Sequence, residues 1–467
     1  MGKSYDYDVV VIGGGPGGYA AAIRASQLGA RAACVEKEHL GGVCTNVGCI
    51  PTKVLAHAAR FMREARRAGE LGVRLGGVEL DYPLLVECRE AVTKKLRGGI
   101  EFLLGSNQVE VIRGAAAFED AHTIAVDGGG GSERVSVIAE KVMIATGSMP
   151  MELPVAPFDE DAIISSRGAL GLRELPGSLI IVGGGYIGCE FASIFSAFGV
   201  DLTIVELKDR LLPEMDADCS REVTRELKKA GAKILTGTTL EGIEKQDGGV
   251  VASLSGGKLV QAEKALICVG RRPMWEGLDI EGIGIKTGGR GEIVVNGHMQ
   301  TSVPHIYAIG DVAGGILLAH VASHEGLAAA AHATGNISAE VSYRVVPACA
   351  FTFPQIGVVG MTEEQAREAV GEVTVKKFPM RALGMAHVSD MTEGFVKLVC
   401  DGNSGEVLGV QIASAEASNL IAEAALAMQL EMTAEELAET IHAHPTMPES
   451  MREAAEGILG MPIDWMG

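Results

Sequence analysis

The chain has few basic residues for its length and no long uninterrupted apolar run. Its 40 Lys and Arg residues stand against 60 Asp and Glu residues, which gives a formal net charge of −20 at pH 7. A surface this acidic repels the phosphates of nucleic acids and of anionic lipids. Charged residues or prolines interrupt the apolar stretches well before they reach the length of a bilayer span. We therefore expect a small substrate, with neither nucleic acid nor membrane as a partner.

The sequence also lacks a secretion signal. The N-terminal segment MGKSYDYDVVVIGGG passes from charged residues straight into a glycine turn and contains no cleavage site. This indicates a cytoplasmic protein whose cysteines are mostly reduced. Seven of the nine cysteines are expected to be ordinary buried thiols. These are Cys34, Cys88, Cys189, Cys219, Cys268, Cys349 and Cys400.

Glycine and apolar residues are plentiful. The 62 glycines and the apolar share of 47% suit buried sheets that are joined to helices by tight turns. The length of 467 residues predicts two to four domains. Disordered and collagen-like architectures are excluded by the same composition.

An internal repeat is the most informative feature. Residues 9–38 match residues 179–208 at a constant offset of 170. The aligned pairs include Gly13 with Gly183, Gly29 with Gly199, and Glu36 with Glu206. Each copy runs from an apolar strand through G-x-G-x-x-G into an apolar helix, and then to a second strand that ends in a carboxylate. Two copies of one unit imply two similar domains.

This context makes each glycine fingerprint a strong signal for a dinucleotide site. The first glycine allows the tight turn, the second lets a pyrophosphate approach the backbone, and the third lets the helix pack on its strand. In that order they are Gly13, Gly15 and Gly18 in the first copy, and Gly183, Gly185 and Gly188 in the second. Free N–H groups and the helix dipole then attract the phosphates. The alternative is a pair of glycine-rich turns that bind no ligand.

Glu36 and Glu206 lie at the tips of the second strands, 21 residues beyond the second glycine of each fingerprint. Each carboxylate can accept hydrogen bonds from both hydroxyls of a ribose. It also repels a 2′-phosphate, which favours NAD over NADP at Glu206. Lys208 and Arg210 lie nearby in the sequence and leave NADP open as the alternative.

The sequence pattern changes after residue 345. Alternating stretches at 350–359, 395–400 and 407–412 predict antiparallel strands. Helical patterns follow at 417–430 and 434–441. The second of these helices has Thr433 as N-cap and Glu436 at its third position. We therefore expect a separate α+β domain.

Regions rich in proline and glycine predict joints between the other parts of the chain. Two such joints lie at 149–157 and 269–273, and a hairpin tip is expected at 128–132. The joints lie between and after the two copies of the repeat.

Cys44 and Cys49 follow Glu36 closely, in the segment GGVCTNVGCIPTK. Core thiols or part of a metal site are common interpretations, although no second Cys or His pair at zinc-like spacing accompanies them. In a straight helix, residues five apart have Cα atoms about 8.6 Å apart, whereas a disulfide needs less than about 7 Å. A bond between them therefore requires a bent or irregular helix, which Gly48 and Asn46 make plausible. A thiol in the first turn of a helix also has a lowered pKa, so a reactive thiolate is expected.

At this point the sequence resembles a known family, the pyridine-nucleotide disulfide oxidoreductases. Residues 41–53 are similar to its redox-active segment, with Thr52 where the family usually has Ser. The other similar motifs are the two fingerprints, ATGS at 145–148, VGRRP at 269–273, YAIGDV at 307–312, AHVASHEG at 319–326 and HPTMPE at 444–449. The resemblance covers nearly the whole chain.

The resemblance implies an α/β protein with two Rossmann-like dinucleotide-binding domains and a C-terminal α+β dimerisation domain. The expected FAD-binding domain is discontinuous and comprises residues 1–148 and 271–345. The expected NAD-binding domain comprises residues 149–270, and the dimerisation domain residues 346–467.

The resemblance also implies FAD at the first fingerprint and NAD at the second. Glu36 would then hold the adenosine ribose of FAD, Lys53 would lie near the flavin N5, and Asp311 would bind the ribityl and pyrophosphate region. The other residues expected at FAD are Ala116, Thr146, Gly147 and Ala319. Those expected at NAD are Gly183, Gly185, Tyr186, Ile187, Gly188, Glu206 and Gly270. From the residues alone, the alternatives are a solvated charge for Lys53 and a helix N-terminal acid for Asp311.

A redox disulfide between Cys44 and Cys49 is a further implication of the family. Cys49 would be the charge-transfer thiol against the flavin, and Cys44 the interchange thiol that meets the substrate. His444 would be the acid/base, oriented by Glu449, because imidazole catalysis needs a carboxylate to fix the tautomer. A surface histidine is the alternative. In the family the other subunit contributes this base, which implies a homodimer with two composite sites.

The reaction implied by the resemblance is the oxidation of protein-bound dihydrolipoyl groups with reduction of NAD+. The partner would be the lipoyl-bearing protein of a 2-oxoacid dehydrogenase or glycine-cleavage complex, and no metal is expected. One alternative is an NAD(P)H-dependent reductase of another disulfide or related acceptor, and another is a non-enzymatic scaffold or redox sensor. Mercuric reductases share the cysteine segment but carry an additional C-terminal cysteine pair, whereas no cysteine follows Cys400 here.

Overall fold

Runs of Val, Ile and Ala form the central strands of the first nucleotide-binding unit, as is typical of parallel strands buried on both faces. The computed structural model describes residues 4–128 and 134–466 of the chain. The predicted hairpin tip at 128–132 therefore lies, apart from Gly128, outside the described residues. Up to residue 150 the elements are β1 (Tyr7–Ile12), α1 (Pro16–Gln27), β2 (Ala32–Glu36), α2 (Gly42–Val47), α3 (Cys49–Arg67), α4 (Tyr82–Ser106), β3 (Glu110–Arg113), β4 (Ala115–Phe118), β5 (Thr123–Asp127), β6 (Val135–Ile144) and β7 (Ser148–Pro150).

The first sheet has the strand order β3-β2-β1-β6-β5-β4. β1 runs parallel to β2 and β6, with Val9 opposite both Ala32 and Lys141. β3 extends the parallel part beside β2, whereas β4 and β5 are antiparallel additions at the other side. The carboxyl ends of the parallel strands share one edge, which is where open α/β sheets bind their ligands.

The second unit contains β8 (Ile163–Ile164), α5 (Ser166–Gly171), β9 (Ser178–Val182), α6 (Tyr186–Ala197), β10 (Asp201–Val205), α7 (Ala217–Lys229), β11 (Lys233–Leu235), β12 (Leu240–Gln246), β13 (Gly249–Leu254), β14 (Lys258–Ala262), β15 (Lys264–Ile267) and β16 (Arg271–Pro273). Its parallel sheet has the order β11-β10-β9-β15-β8, and β12, β13 and β14 form an antiparallel sheet. β16 pairs with β7, so the joints predicted at 149–157 and 269–273 partly pair with each other.

The two copies of the sequence repeat adopt the same local structure. β1, α1 and β2 correspond to β9, α6 and β10, and in both copies the second strand lies parallel to the first. Gly13 and Gly183 have positive φ values of 107° and 106°, which only glycine adopts easily. The predicted repeat of a strand, a helix and a second strand is therefore confirmed.

After the second unit the chain returns to the first sheet through β17 (Ile306–Ala308), which runs parallel to β6, and α8 (Ala319–Ala333). α8 crosses α1 at very close range. A Cβ on Gly17 would lie 2.8 Å from the carbonyl oxygen of Ala322, and one on Gly326 would lie 2.5 Å from that of Gly17. This crossing explains the small residues on both helices. The domain limits stated above remain a prediction.

The C-terminal part contains β18 (Ala348–Ala350), β19 (Gln355–Gly360), α9 (Glu363–Val370), β20 (Val373–Pro379), α10 (Gly384–Val388), β21 (Phe395–Asp401), β22 (Val407–Ser414), α11 (Ala417–Gln429), α12 (Ala434–Glu439) and α13 (Glu449–Ile458). Its antiparallel sheet has the order β18-β19-β22-β21-β20. The predicted antiparallel strands, the helix near 417–430 and the capping box of Thr433 with Glu436 are confirmed.

Two details of this part differ from the prediction. The stretch 350–359 is not one strand, because the chain leaves the sheet between β18 and β19, where Pro354 has no N–H to donate to a ladder. α12 ends at Glu439, two residues earlier than the pattern indicates, and Thr440 is already extended.

The expectation of seven buried thiols is wrong for Cys88, which is exposed. The buried face of α4 includes Val86, Arg89 and Thr93, and this helical spacing turns Cys88 toward solvent. Cys268 and Cys349 are partly buried, and the other four thiols of this group are buried.

The close contact between each glycine turn and its helix makes the third glycine difficult to replace. A Cβ on Gly188 would collide with the carbonyl oxygen of Gly183, whereas a Cβ on Gly105 in α4 would meet nothing within 4 Å. We expect Gly188→Ala to cost about 1–3 kcal/mol of stability and to lower the thermal unfolding midpoint. Gly105→Ala is the matched control and should leave the midpoint unchanged or raise it. Equal midpoints for the two variants would contradict the close packing.

Candidate functional site

The first glycine turn forms a cradle that side chains would fill. A Cβ on Gly13 would collide with the carbonyl oxygen of Ala145, and one on Gly18 with that of Gly13. Around Gly15 the nearest atom to such a Cβ is the Cα of Gly42, 3.9 Å away. Gly15 is therefore open to a ligand, while backbone atoms leave no room for a side chain at Gly13 or Gly18. Gly183, Gly185 and Gly188 repeat this arrangement, and Gly185 meets nothing within 4 Å.

Both helices that follow the glycine turns begin without a capping side chain. The N-caps of α1 and α6 are Gly15 and Gly185, no side chain accepts from the first N–H groups, and no acidic residue occupies the first turn. Tyr186 and Ile187 lie in the first turn of α6. Helix N-termini with free N–H groups attract phosphates, so both turns fit the pyrophosphate of a dinucleotide.

Glu36 and Glu206 are buried and held by backbone amides. Glu36 accepts hydrogen bonds from the amides of Gly14 at 2.8 Å and Glu38 at 2.7 Å. Glu206 accepts from the amides of Gly184 at 2.5 Å and Lys208 at 2.7 Å. Each carboxylate is thereby fixed beside its glycine turn with acceptor capacity to spare, which fits a ribose diol.

Three predicted FAD residues follow parallel strands that end at the same edge. Thr146 and Gly147 come directly after β6, and Asp311 lies in a 3-10 turn (Gly310–Ala313) after β17. The hydroxyl of Thr146 is buried and has no hydrogen-bond partner among the described residues. A buried hydroxyl normally has a partner, so this orphan fits a bound polar group. Ser148 donates its hydroxyl hydrogen to the carboxylate of Asp311.

The cysteine segment lies directly against the first glycine turn. The amide of Gly41 donates to the carbonyl of Gly14 at 2.7 Å, and a Cβ on Gly42 would lie 2.8 Å from the Cα of Gly15. The helical path then breaks at Gly48, which has φ −148° and ψ −113° and separates α2 from α3. The predicted irregular helix between Cys44 and Cys49 is confirmed.

The break brings the two thiols into hydrogen-bond contact and gives them opposite acidities. The pKa of Cys49 is lowered to about 7, first by the hydrogen bond from Cys44 and then by Lys53, against the effects of burial and of Glu190. The pKa of Cys44 is raised because its hydrogen is held by Cys49 and because it is buried. These opposite shifts favour ionisation of Cys49 over ionisation of Cys44.

Lys53 carries the nearest cation on the same helix. Its Nζ contacts both carboxylate oxygens of Glu190, at 3.0 and 2.8 Å, and lies 4.4 Å from the ring centre of Phe351. The amide of Phe351 also donates to Glu190 at 2.9 Å. The interpretation of Lys53 as a merely solvated charge is wrong, since three parts of the chain meet at this ion pair.

Glu190 was not found by sequence reasoning. It lies in α6, which is otherwise apolar, and only 8% of its side chain is exposed. A single carboxylate in the helix YIGCEFASIFSA is the signal that could have indicated it, because a buried acid needs a cationic partner.

His444 and Glu449 form a pair in the C-terminal part. The Nδ1 of His444 lies 2.9 Å from Glu449, whose second oxygen accepts from the amide of Thr446 at 2.8 Å. Burial opposes ionisation of Glu449, but these two hydrogen bonds outweigh it and lower its pKa. The His444 side chain is 79% exposed. Within the described residues its ring has no hydrogen bond to either cysteine.

The remaining predicted residues lie at different distances from this chemistry. Gly270 precedes β16 with a φ of +131°, and Ala319 is the first residue of α8. Ala116 lies in β4, opposite Val126 of β5. The structure thus brings the first-fingerprint residues and the cysteines together, while His444 with Glu449 stands apart from them in the single chain.

Comparison with known proteins identifies the family. A family model described as pyridine nucleotide-disulphide oxidoreductase matches residues 7–326, and its dimerisation domain matches residues 346–455. The chain is 43% identical to a dihydrolipoyl dehydrogenase of Geobacillus stearothermophilus, covering 98% of this chain and 97% of that protein. The chain belongs to the pyridine nucleotide-disulphide oxidoreductase family.

Two solved structures agree with this family. LpdA from Mycobacterium tuberculosis superposes with a TM-score of 0.90 at 30% identity, covering 96% of this chain and 99% of that one. The Cu(II) complex of the HOCl-induced flavoprotein disulfide reductase RclA from Escherichia coli gives a TM-score of 0.88 at 30% identity, covering 98% of this chain and 99% of that one. The predicted fold class, two Rossmann-like domains with a C-terminal α+β dimerisation domain, is confirmed. FAD and NAD are the cofactors of this pyridine nucleotide-disulphide oxidoreductase.

The described residues contain neither a candidate metal cluster nor a helix suited to cross a membrane. No group of three or more His, Cys, Asp or Glu side chains in 4–128 and 134–466 is placed to hold a metal ion. In the same residues no helix has the length and apolar character needed to cross a membrane.

The acidity of Cys49 should depend on the hydrogen bond that it accepts from Cys44. Cys44→Ala removes the hydrogen bond to Cys49, which should raise the pKa of Cys49 from about 7 by about one to two pH units. Cys44→Ser keeps a donor and should raise it less. The measurement is the ultraviolet thiolate absorbance of the reduced protein against pH, taken as the difference from the same protein carrying Cys49→Ser.

Cys88→Ala is the control for this titration, because Cys88 is exposed and distant in sequence from the pair. The assignment of Cys49 as the thiolate would be refuted by a Cys44→Ala protein that titrates at the wild-type pH.

Proposed function

We propose that this protein oxidises protein-bound dihydrolipoyl groups to lipoyl groups and reduces NAD+ to NADH, with FAD as the intermediate carrier. The observation that carries the proposal is the pair of thiols on the two sides of the Gly48 break, in a segment that lies directly against the first of two dinucleotide turns. A disulfide between these sulfurs is the group that an outside dithiol can reduce. The relationship to dihydrolipoyl dehydrogenases supports the same reaction.

FAD fits the first turn through Gly13, Gly15, Gly18, Glu36, Thr146 and Asp311. NAD fits the second turn through Gly183, Gly185, Gly188 and Glu206. When bound, FAD takes up the electron pair of the enzyme dithiol and NAD+ receives it as a hydride. Hydrogen bonds from the amides of Gly184 and Lys208 orient the carboxylate of Glu206, which favours NAD over NADP at this position.

The protein residues carry out the thiol exchange. His444 accepts the proton of one substrate thiol, and the resulting thiolate attacks the sulfur of Cys44 in the Cys44–Cys49 disulfide. That bond breaks and Cys49 leaves as a thiolate, which its lowered pKa favours. The second substrate sulfur then attacks the mixed disulfide. The proton of this second thiol passes to Cys44, which leaves as a thiol, while His444 keeps the first proton. The substrate dithiol is thereby oxidised to a cyclic disulfide and the enzyme disulfide is reduced.

The His444–Glu449 pair is suited to the role of acid and base. Glu449 contacts Nδ1, which leaves Nε2 free to exchange a proton with a substrate thiol. The ring is largely exposed in the single chain, so a second copy of the chain can bring it over the cysteines of its partner. The proposed protein is a homodimer in which residues 346–467 form most of the interface.

The proposed partner is the lipoyl-bearing protein of a 2-oxoacid dehydrogenase or glycine-cleavage complex, in the cytoplasm. The alternative function is reduction of another disulfide, and the similarity to RclA is the observation that supports it. Rates with dihydrolipoamide plus NAD+, compared with glutathione disulfide plus NADH or NADPH, separate the two activities.

The first test of the function replaces the interchange thiol. Cys44→Ser should retain FAD, because Cys44 contributes no backbone to the glycine turn, and it should lose lipoamide turnover. The measurement is the steady-state rate of NADH formation from dihydrolipoamide, with flavin content determined on the same sample. Cys88→Ala is the control and should keep the wild-type rate. Unchanged turnover in Cys44→Ser would show that the dithiol does not carry the electrons.

The second test asks which chain supplies the base. Homodimers of Cys44→Ser and of His444→Gln should each retain about one hundredth of the wild-type rate or less. A hybrid dimer of the two, isolated with a different tag on each chain, contains one site with both residues intact if sites are composite. It should therefore regain about half of the wild-type rate per dimer. An inactive hybrid would contradict the shared site.

A further inference from the structure

The chain crosses between the two nucleotide-binding units at a pair of short strands. β7 and β16 are antiparallel, with Ser148 opposite Pro273 and Pro150 opposite Arg271. β7 follows the Thr146–Gly147 turn, and β16 follows Gly270. The crossing therefore lies next to residues that we assign to both cofactors.

Arg271 links this crossing to the turn that carries Asp311. Its Nε donates to the hydroxyl oxygen of Ser148 at 2.7 Å, and its Nη2 donates to the carbonyl of the same residue at 2.8 Å. The Ser148 hydroxyl in turn donates to Asp311, and the Nε of Arg271 lies 3.7 Å from the same carboxylate oxygen. A guanidinium, a hydroxyl and a carboxylate thus form one connected chain.

The next residue on the strand offers a direct comparison. Only 15% of the Arg271 side chain is exposed, against 44% for Arg272. Successive side chains of a strand point to opposite faces, and Arg272 pairs with Glu276 at the surface. Two arginines of the same strand therefore occupy a buried and a solvated environment.

The position of Arg271 has an electrostatic consequence. The Asp311 side chain is only 24% exposed, and a partly buried carboxylate beside a bound pyrophosphate is unfavourable unless a cation offsets its charge. Arginine remains protonated in proteins, so Arg271 supplies that cation at every working pH. Burial lowers the pKa of Arg271, and the negative charges of Asp311 and Cys49 oppose this.

We propose that Arg271 is a positioning residue for FAD, which orients Asp311 through Ser148 and places a permanent positive charge beside Asp311. The inference rests on the proposed function, because it assumes that FAD occupies the first turn. Two effects follow from it. FAD is held more tightly, and the bound flavin is easier to reduce, because reduction adds negative charge near a fixed cation.

The first test measures how fast the holoenzyme releases FAD, from the rise of flavin fluorescence after dilution. Arg271→Gln removes the charge and most of the hydrogen-bonding fork, so release should be at least tenfold faster than in wild type. Arg272→Gln is the matched control and should release FAD within twofold of the wild-type rate. Ser148→Ala breaks the link but keeps the charge, so it should also release FAD faster.

The second test measures the midpoint potential of the bound flavin against a reference dye. Arg271→Gln should shift the potential to more negative values, whereas Arg271→Lys and Ser148→Ala, which keep the charge, should stay near wild type. If Arg271 had a purely structural role, its replacement would speed FAD release, but the flavin potential would not differ between the variants that remove the charge and those that keep it.

The proposal is overturned if Arg271→Gln matches Arg272→Gln in both measurements, or if Arg271→Lys shifts the potential as far as Arg271→Gln. If Arg271→Gln does not fold, Ser148→Ala and Arg271→Lys still decide it: both must release FAD faster and keep the potential, and any other result overturns it. A wild-type protein that holds no FAD or does not turn over dihydrolipoamide would instead refute the proposed function.

Discussion

The contact between the cysteine segment and the first glycine turn is the constraint on which the rest of the structure depends. Gly42 can approach Gly15 because Gly42 has no side chain, since a Cβ there would lie 2.8 Å from the Cα of Gly15, and the amide of Gly41 donates a hydrogen bond to the carbonyl of Gly14 at the same point. This contact fixes where α2 starts. The break at Gly48 then places the second thiol against the first. A phosphate-binding turn and a reactive sulfur pair thereby share one backbone junction.

Charges arranged across the units give this junction its chemistry. Lys53, at the start of α3, is held by Glu190 of the second unit, and the same carboxylate accepts a hydrogen bond from the C-terminal part. Lys53 also lowers the pKa of Cys49, while Glu190 raises it. The pKa of Cys49 therefore depends on the opposing charges of Lys53 and Glu190, and these are in place only when all three parts of the chain are folded. A cysteine in the same short helix without these partners would lack this balance.

The sequence was sufficient to predict the features that depend on local physics. The repeat, the helix break and the capping box of Thr433 follow from glycine conformation and periodicity. Glu190 and the exposure of Cys88 could not be found in this way. The first depends on a lysine 137 residues away, and the second on which face of α4 the core covers. Pairings between distant segments leave no periodic signal in one sequence.

The position of His444 shows why one folded chain does not complete the proposed site. The Nδ1 of its ring is hydrogen-bonded to Glu449, and the rest of the ring is exposed. The ring is therefore oriented but not enclosed by this chain. An acid/base works best where water is excluded, because electrostatic interactions are then stronger. The thiols lie in another part of the chain, beside the first glycine turn. If a second copy of the chain places its His444 beside the thiols of the first, dimer formation both brings the base to the substrate and excludes water from it. Catalysis then depends on assembly of the dimer.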